Sequence, residues 1–187
     1  MKTSRSRSIV LATVGLLGAA AVVALFTSAG SDGGDAAQRT AGRGSSEASS
    51  LGTVDGIMLE GFGSDEAIDL GSFEGRPLVV NYFASWCLFC VEEMPDFQSV
   101  YEEVQDDVAF LGVNIQDDLG HAKQLVKITG VRYALATDPS GDIFQKLESR
   151  SMPTTVFVNA KGAIVERFSG PLTAADLRER IRSHFGV

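Results

Sequence analysis

Cysteine and histidine are scarce in this chain of 187 residues, which has two of each. A structural zinc site usually takes four such ligands, and His121 and His184 are both isolated from any second Cys or His pair. No cysteine stands directly after the N-terminal apolar run, which excludes a lipid-modified N-terminus. We therefore expect no metal ion and no other cofactor.

Basic residues are in deficit as well. The chain has 16 Lys and Arg against 24 Asp and Glu, and residues 53–187 alone have 11 against 21, a formal net charge of −10. Such an acidic surface argues against nucleic acid and against anionic lipid as partners of this part of the chain. The sequence also lacks an internal repeat, and we expect a monomer.

One long uncharged apolar run is present, at residues 9–26, and it follows Lys2, Arg5 and Arg7. This is the layout of an export signal, and the 18 residues just suffice for a tilted helix to cross a bilayer. Because the basic end stays cytoplasmic, the rest of the chain would lie on the extracytoplasmic side. We predict that residues 1–28 form a hydrophobic helix that acts as a signal anchor in the cell membrane.

The same residues also suit a cleaved signal peptide. Thr27 and Ala29 are small enough for the −3 and −1 positions of a cleavage site, and a cut after Ala29 would release a secreted protein. Residues 29–52 are mostly Gly, Ser and Ala without apolar periodicity, which predicts a flexible linker. Residues 53–187 are enough for one compact globular domain.

The two cysteines lie close together, in Trp86-Cys87-Leu88-Phe89-Cys90. Residues 77–83 before them are typical of a strand buried on both faces, and residues 91–104 after them have helical spacing. At such a helix N-terminus, free backbone N–H groups favour the thiolate of Cys87, and Cys90 lies one turn further on. A bridge this short contributes little as a permanent staple. The spacing therefore predicts a redox pair in which Cys87 attacks and Cys90 resolves.

The remaining elements follow from apolar periodicity and turn chemistry. Asp117 or Asp118 is expected to cap a helix rather than to bind a metal ion, and Thr173 with Asp176 is expected to cap the last helix. The order predicts an α/β fold with a mixed central sheet and helices on both faces. The predicted strands are residues 57–62, 67–70, 108–115, 134–137, 154–159 and 163–168, and the predicted helices are 119–129, 143–147 and 174–185.

The Trp-Cys-x-x-Cys sequence, with Pro95 and Met152-Pro153-Thr154, resembles proteins of the thioredoxin fold. Over nearly all of residues 55–187 the chain is similar to the TlpA/ResA-like, membrane-tethered thiol-disulfide oxidoreductases. This resemblance implies a thioredoxin-like fold, protein thiols and disulfides as substrate, and an upstream membrane thiol-redox partner. It also implies a role in cytochrome c biogenesis, with apocytochrome c as the family's commonest substrate. The similarity rests on residues 73–81, Ala84-Ser85-Trp86-Cys87, Glu93-Met94-Pro95, Leu111-Gly112-Val113-Asn114 and Pro153-Thr154-Thr155.

The resemblance also assigns site residues. Pro153 matches the family's cis-proline, which faces the cysteines and leaves the backbone of Met152 free to pair with an extended substrate. Glu93 matches an acidic residue that would relay the proton of Cys90, unless it is a solvated helix glutamate. Trp86 would supply an apolar contact, or serve as packing. The expected site has Cys87, Cys90 and Glu93 as catalytic residues and Trp86, Met152 and Pro153 as substrate-binding residues.

One departure from the family pattern leaves the redox direction open. Phe89 stands where most relatives have proline, and the pair between the cysteines tunes the relative stability of the two redox states. A separate difference concerns thioredoxins proper, which carry a buried aspartate where this chain has Asn81, so the proton relay cannot come from that position. An oxidant of the DsbA/DsbE kind in extracytoplasmic oxidative folding is one alternative, and a redox-inert peptide-binding module is another. A peroxidase of the peroxiredoxin type is disfavoured, because its Thr-x-x-Cys setting is absent.

Overall fold

The computed structural model describes residues 51–187. The predicted anchor at residues 1–28, its cleavage site at Ala29 and most of the predicted linker lie outside the described residues. Leu51 packs against the domain core, and the carbonyl of Gly52 accepts a hydrogen bond from the backbone N–H of Ile164. Between residues 51 and 187 no helix is both long and apolar enough to cross a membrane.

Seven strands form one mixed sheet in the order β2-β1-β5-β4-β3-β6-β7. The neighbours β3, β4 and β5 run parallel, and every other neighbouring pair is antiparallel. All residues of β3, β4 and β6 are buried, which confirms that the run before the cysteines is a strand covered on both faces. The strands are β1 Met58–Gly61, β2 Ala67–Asp69, β3 Leu78–Phe83, β4 Ala109–Ile115, β5 Ala134–Asp138, β6 Thr154–Val158 and β7 Ile164–Ser169.

Four helices and one short 3-10 helix, Leu70–Phe73, complete the domain. Thr173 and Asp176 form the predicted capping box, and Gly130 ends its helix in the left-handed conformation that glycine favours, with φ +74°. The helices are α1 Leu88–Val104, α2 Leu119–Thr129, α3 Asp142–Lys146 and α4 Ala174–Phe185.

The start of α1 differs from the prediction, which placed the helix at residues 91–104. The helix begins at Leu88, so Cys90 lies inside its first turn and Cys87 is its N-cap. The usual cap signal is missing, because the residues around the start are apolar or cysteine rather than Ser, Thr, Asp or Asn.

The two faces of the sheet are covered differently. One face packs against α1, α2 and α4, through residues such as Phe97, Leu125 and Leu177. The other face is covered by shorter segments, among them the 3-10 helix with Leu70 and the residues around α3. The predicted helices on both faces are confirmed, with the three long helices on one face and α3 and the 3-10 helix on the other. The cysteines lie on the face with the three long helices, where α1 begins just beyond the end of β3.

Candidate active site

Cys87 and Cys90 form a disulfide at the N-terminus of α1. The backbone N–H of Cys90 donates a hydrogen bond to Cys87 Sγ at 3.2 Å, so the helix start offers a donor that would stabilise a thiolate there. Cys87 keeps 7% of its surface exposed, whereas Cys90 keeps none. An incoming sulfur can therefore reach Cys87 and not Cys90.

Large apolar side chains surround the disulfide on the solvent side. Trp86, Leu88 and Phe89, which we call the outer rim, are 58%, 67% and 56% exposed. The indole N–H of Trp86 donates to the carbonyl of Gln116 at 3.1 Å, which fixes the ring while leaving most of it accessible. Trp86 is thus not core packing, and the outer rim is an apolar surface next to the reactive sulfur.

Asp117 anchors the segment that leads into the outer rim. Its carboxylate accepts hydrogen bonds from both the backbone N–H and the hydroxyl of Ser85, each at 2.6 Å, and from the amide of Asn114 at 2.9 Å. Burial acts to raise the pKa of Asp117, but these bonds outweigh it and hold the pKa below its ordinary value. Asp118, not Asp117, caps α2, by accepting from the backbone N–H of His121.

Gln116 holds the turn between β4 and α2 in a conformation unusual for its residue type. Its φ is +45°, in the left-handed region that glycine favours. Its side-chain amide donates a hydrogen bond to the carbonyl of Ser140 at 2.9 Å, and its own backbone carbonyl accepts the hydrogen bond from the Trp86 indole N–H. The position of Trp86 therefore depends on this turn.

Glu93 lies on the inner side of the disulfide, one turn of α1 beyond Cys90. It is only 3% exposed, which overturns the alternative of a solvated helix glutamate. Its carboxylate accepts from the amide of Asn81 at 2.8 Å and from the backbone N–H of Leu172 at 3.0 Å. Burial raises the pKa of Glu93 to about 7, against the opposing effect of these two hydrogen bonds. At neutral pH both protonation states of Glu93 are populated.

A cis peptide bond joins Met152 to Pro153, as the family resemblance implies. Thr154, the next residue, pairs with Tyr82 in the sheet, and the carbonyl oxygen of Tyr82 lies 4.0 Å from Cys90 Sγ. Met152 packs against the apolar cluster that contains both cysteines, and within residues 51–187 it makes no backbone hydrogen bond. The structure therefore brings Cys87, Cys90, Glu93, Trp86, Met152 and Pro153 together, while their roles remain predictions.

Sequence reasoning missed several partners of these residues. The sequence shows Asn81 only as a substitute for an aspartate, yet it positions Glu93. The sequence predicts a cap at Asp117 or Asp118; Asp118 is the cap, and the unpredicted contact is that Asp117 holds Ser85. One signal was present, because the carboxyl ends of parallel neighbours meet at one edge of a sheet, and Ser85 and Asp117 follow the adjacent strands β3 and β4. The contact between Glu93 and Leu172 joins residues far apart in sequence and had no signal.

Comparison with known proteins gives the context of this geometry. A protein-family model described as Redoxin matches residues 59–181. Sporulation thiol-disulfide oxidoreductase A of Bacillus subtilis is 27% identical over 110 residues, which are 57% of this chain and 67% of that protein. Thiol-disulfide oxidoreductase ResA of Halalkalibacterium halodurans is 26% identical over 115 residues, which are 61% of this chain and 65% of that protein. The chain thus spans about two thirds of the length of these relatives.

Solved structures agree with the architecture. A DsbF homologue from Corynebacterium diphtheriae superposes with a TM-score of 0.63 at 28% identity, over 70% of this chain and 85% of that one.

Proposed function

The chain belongs to the Redoxin family, and from this premise we propose that it is a thiol-disulfide oxidoreductase that acts on protein substrates outside the cytoplasm. One observation carries the proposal: a disulfide at the start of α1 exposes only Cys87, and a buried carboxylate with a pKa of about 7 lies one turn inside it. The relatives named above are thiol-disulfide oxidoreductases, and the predicted family and fold are confirmed.

In the reducing direction the reaction has two exchange steps. The thiolate of Cys87 attacks one sulfur of a substrate disulfide, so that a mixed disulfide forms and the first substrate thiolate leaves. Cys90 then loses its proton and attacks Cys87 Sγ, which forms the Cys87–Cys90 bond and releases the second substrate thiolate. Two electrons pass from the enzyme to the substrate, and the released thiolates take protons from solvent.

Glu93 suits the proton transfer of the second step. Cys90 is buried, so its proton needs an internal acceptor, and a carboxylate whose pKa is about 7 is partly ionised at neutral pH. The hydrogen bonds from Asn81 and Leu172 fix that carboxylate within the site. Glu93 therefore acts as the base for Cys90 in the reducing direction and as the acid in the reverse direction.

The same carboxylate favours the role of reductant. A negative charge beside the cysteines opposes a second one, so it raises the thiol pKa values and destabilises the reduced, thiolate-bearing state. Strong oxidants of this fold gain their oxidising power from a stabilised reduced form. The substrate is then a protein disulfide, and the family resemblance makes an apocytochrome c haem-site peptide the first one to assay.

The location rests on the sequence. Residues 9–26 serve as the membrane anchor, the linker tethers the domain, and an upstream membrane thiol-redox partner returns the disulfide to the dithiol. The enzyme works as a monomer, and its acidic surface takes no nucleic acid.

Two measurements test the proposal. A Cys90→Ala variant should trap substrates as mixed disulfides on Cys87, visible as adducts that dithiothreitol removes, whereas Cys87→Ala should trap none. The reduction potential of the pair should be about −300 mV for a reductant, and a value of about −120 mV would make the protein an oxidant instead. Peptide binding without any trapped adduct would favour a redox-inert binding module.

A further inference from the structure

Residues 170–174, which we call the bridging segment, connect β7 to α4. Each of its backbone N–H groups has a defined acceptor, and Pro171 has no N–H to place. The acceptors are the carbonyl of Pro153 for Gly170 at 2.9 Å, Glu93 for Leu172 at 3.0 Å, Asp176 for Thr173 at 3.4 Å and Asp96 for Ala174 at 2.8 Å.

Three of these acceptors belong to opposite sides of the candidate site, and the fourth, Asp176, belongs to α4 itself. Pro153 lies on the side where a substrate chain would dock, whereas Glu93 and Asp96 lie on α1, the helix that begins with the cysteines. The pairing of Thr154 with Ser169 brings the start of the bridging segment beside Pro153. The bridging segment therefore ties the docking side to the cysteine helix through hydrogen bonds.

The bridging segment has little conformational freedom. Gly170 has φ +121°, which other residues rarely adopt, and the ring of Pro171 fixes the next φ. The side chain of Leu172 is 2% exposed and packs in the apolar cluster that contains both cysteines. A shift of either end of this short segment would thus be passed to the other end.

We propose that Asp96 is a positioning residue for substrate docking: by binding the backbone N–H of Ala174 it fixes the bridging segment on α1, and so sets the distance between Pro153 and Cys87. The inference rests on the proposed function, because it assumes that substrate docks at Met152 and Pro153. Such a distance matters, since small misplacements of reacting groups slow a reaction strongly.

Helix capping alone does not account for Asp96. The start of α4 already has its own capping box, in which Thr173 and Asp176 bind each other's backbone N–H groups. What Asp96 adds is a connection from this helix end to α1. A second connection, between Glu103 and Arg178, joins the two helices further from the site. Asp176 and Glu103 are therefore matched controls for capping and for helix contact.

The test compares variants of the full-length chain in exchange with a disulfide-containing peptide. Asp96→Ala should raise KM about tenfold, the effect of losing a hydrogen bond to a charged acceptor, and leave kcat within about twofold. Asp96→Asn keeps an acceptor and should restore most of the loss. The reduction potential and the rate of reaction of Cys87 with cystine, which needs no docked chain, should stay unchanged. Asp176→Ala and Glu103→Ala should leave KM unchanged.

A second readout does not need activity. The amide hydrogen of Gly170 should exchange with solvent faster in Asp96→Ala and not in Asp176→Ala or Glu103→Ala. Equal effects of Asp96→Ala and either control, or an unchanged KM, would overturn the inference. If the wild-type protein fails to exchange disulfides at all, the proposed function fails, and the exchange of Gly170 alone then decides whether Asp96 fixes the bridging segment.

Discussion

The two sulfurs of the disulfide belong to one helical turn but to two different environments. Cys87 meets solvent beside the outer rim, whereas Cys90 is buried near Glu93 and the carbonyl of Tyr82. The outer environment offers apolar contact to another molecule, and the inner one offers a place for a proton. Burial therefore separates the attacking sulfur of Cys87 from the resolving sulfur of Cys90, although the two residues are only three positions apart.

Each environment is organised by one carboxylate, and the two respond oppositely to pH. Asp117, on the outer side, is partly exposed and bound by several donors, so its pKa lies below the ordinary value. Glu93, on the inner side, is buried, and burial outweighs its two donors, so its pKa is raised to about 7. The direction depends on the balance of the two effects, because four hydrogen bonds outweigh burial at Asp117 and burial outweighs two hydrogen bonds at Glu93.

The cysteine variants should show the difference between the exposed and the buried sulfur most strongly. Cys87→Ser removes the only sulfur within reach of a substrate, and peptide disulfide exchange should fall to the uncatalysed rate. In the Cys90→Ser variant, Cys87 should still attack the substrate, and mixed disulfides should accumulate because the resolving thiol is missing. Mass spectrometry of the alkylated proteins distinguishes the two. Adducts on Cys90 in a Cys87→Ser protein would show that burial does not separate the two roles.

Glu93 should make stability depend on pH. Because the pKa of Glu93 is raised to about 7 from 4.5, the unfolded chain loses this proton first as pH rises. The oxidised protein should therefore lose up to about 3 kcal/mol of unfolding free energy between pH 4.5 and 8, relative to Glu93→Gln. Urea denaturation at pH 5 and pH 8 measures this. Glu92→Gln, which changes an exposed neighbour, is the control and should follow the wild type.

The Glu93→Gln variant should also change the rate at which the mixed disulfide is resolved. Glu93→Gln cannot accept the proton of Cys90, so the resolution step should slow about a hundredfold at neutral pH and lose its dependence on pH near 7. The first attack by Cys87 should change little. Single-turnover measurements of mixed-disulfide decay separate the two steps. An unchanged decay rate would contradict the proton relay.

Asp117 should control the outer side through stability and the placement of Trp86. Asp117→Ala leaves the donors of Ser85 and Asn114 without their acceptor and should lower the free energy of unfolding by about 2 kcal/mol at pH 7. The depressed pKa of Asp117 means that its contribution is lost as pH falls below about 4, so the difference from wild type should shrink in acid. Asp118→Ala, which removes only a cap, should cost about 1 kcal/mol. Equal losses at pH 7 and pH 3 would contradict this role.

Phe89 should give the smallest effect. It is 56% exposed, so Phe89→Ala should change the unfolding free energy by less than about 0.5 kcal/mol, yet raise KM for a peptide about threefold by removing apolar contact. Met58→Ala, at a 49% exposed apolar position on β1, should leave KM unchanged. If both variants raise KM equally, the outer rim is not the contact surface.

Local signals predicted most of the fold. The turn after β6, the glycine that ends α2 and the capping box of α4 are each encoded within a few residues, and all appear as predicted. The start of α1 was misplaced because Cys87 caps the helix without a usual cap residue. The failure was thus local and lies at the reactive residue itself.

The supporting contacts of the site could not be predicted in the same way. Glu93 with Leu172, and Asp96 with Ala174, join α1 to a segment almost 80 residues away, and each depends on how α4 packs on α1. Spacing along a helix shows that two residues share a face, but it does not show which distant backbone group will meet them. The reactive cysteines were therefore visible in the sequence, and the residues that position their surroundings were not.

The left-handed backbone conformation at Gln116 marks a position where a substitution should raise the thermal stability of the protein and weaken the placement of Trp86. Glycine adopts this conformation without steric penalty, so Gln116→Gly removes the penalty of a β-carbon there while giving up the side-chain bond to Ser140. The gain in thermal stability would come with greater mobility of the turn between β4 and α2, whose carbonyl at residue 116 accepts the hydrogen bond from the Trp86 indole. Measuring the melting temperature and the turnover rate of the variant would show whether Gln116 serves the placement of Trp86 at the expense of thermal stability.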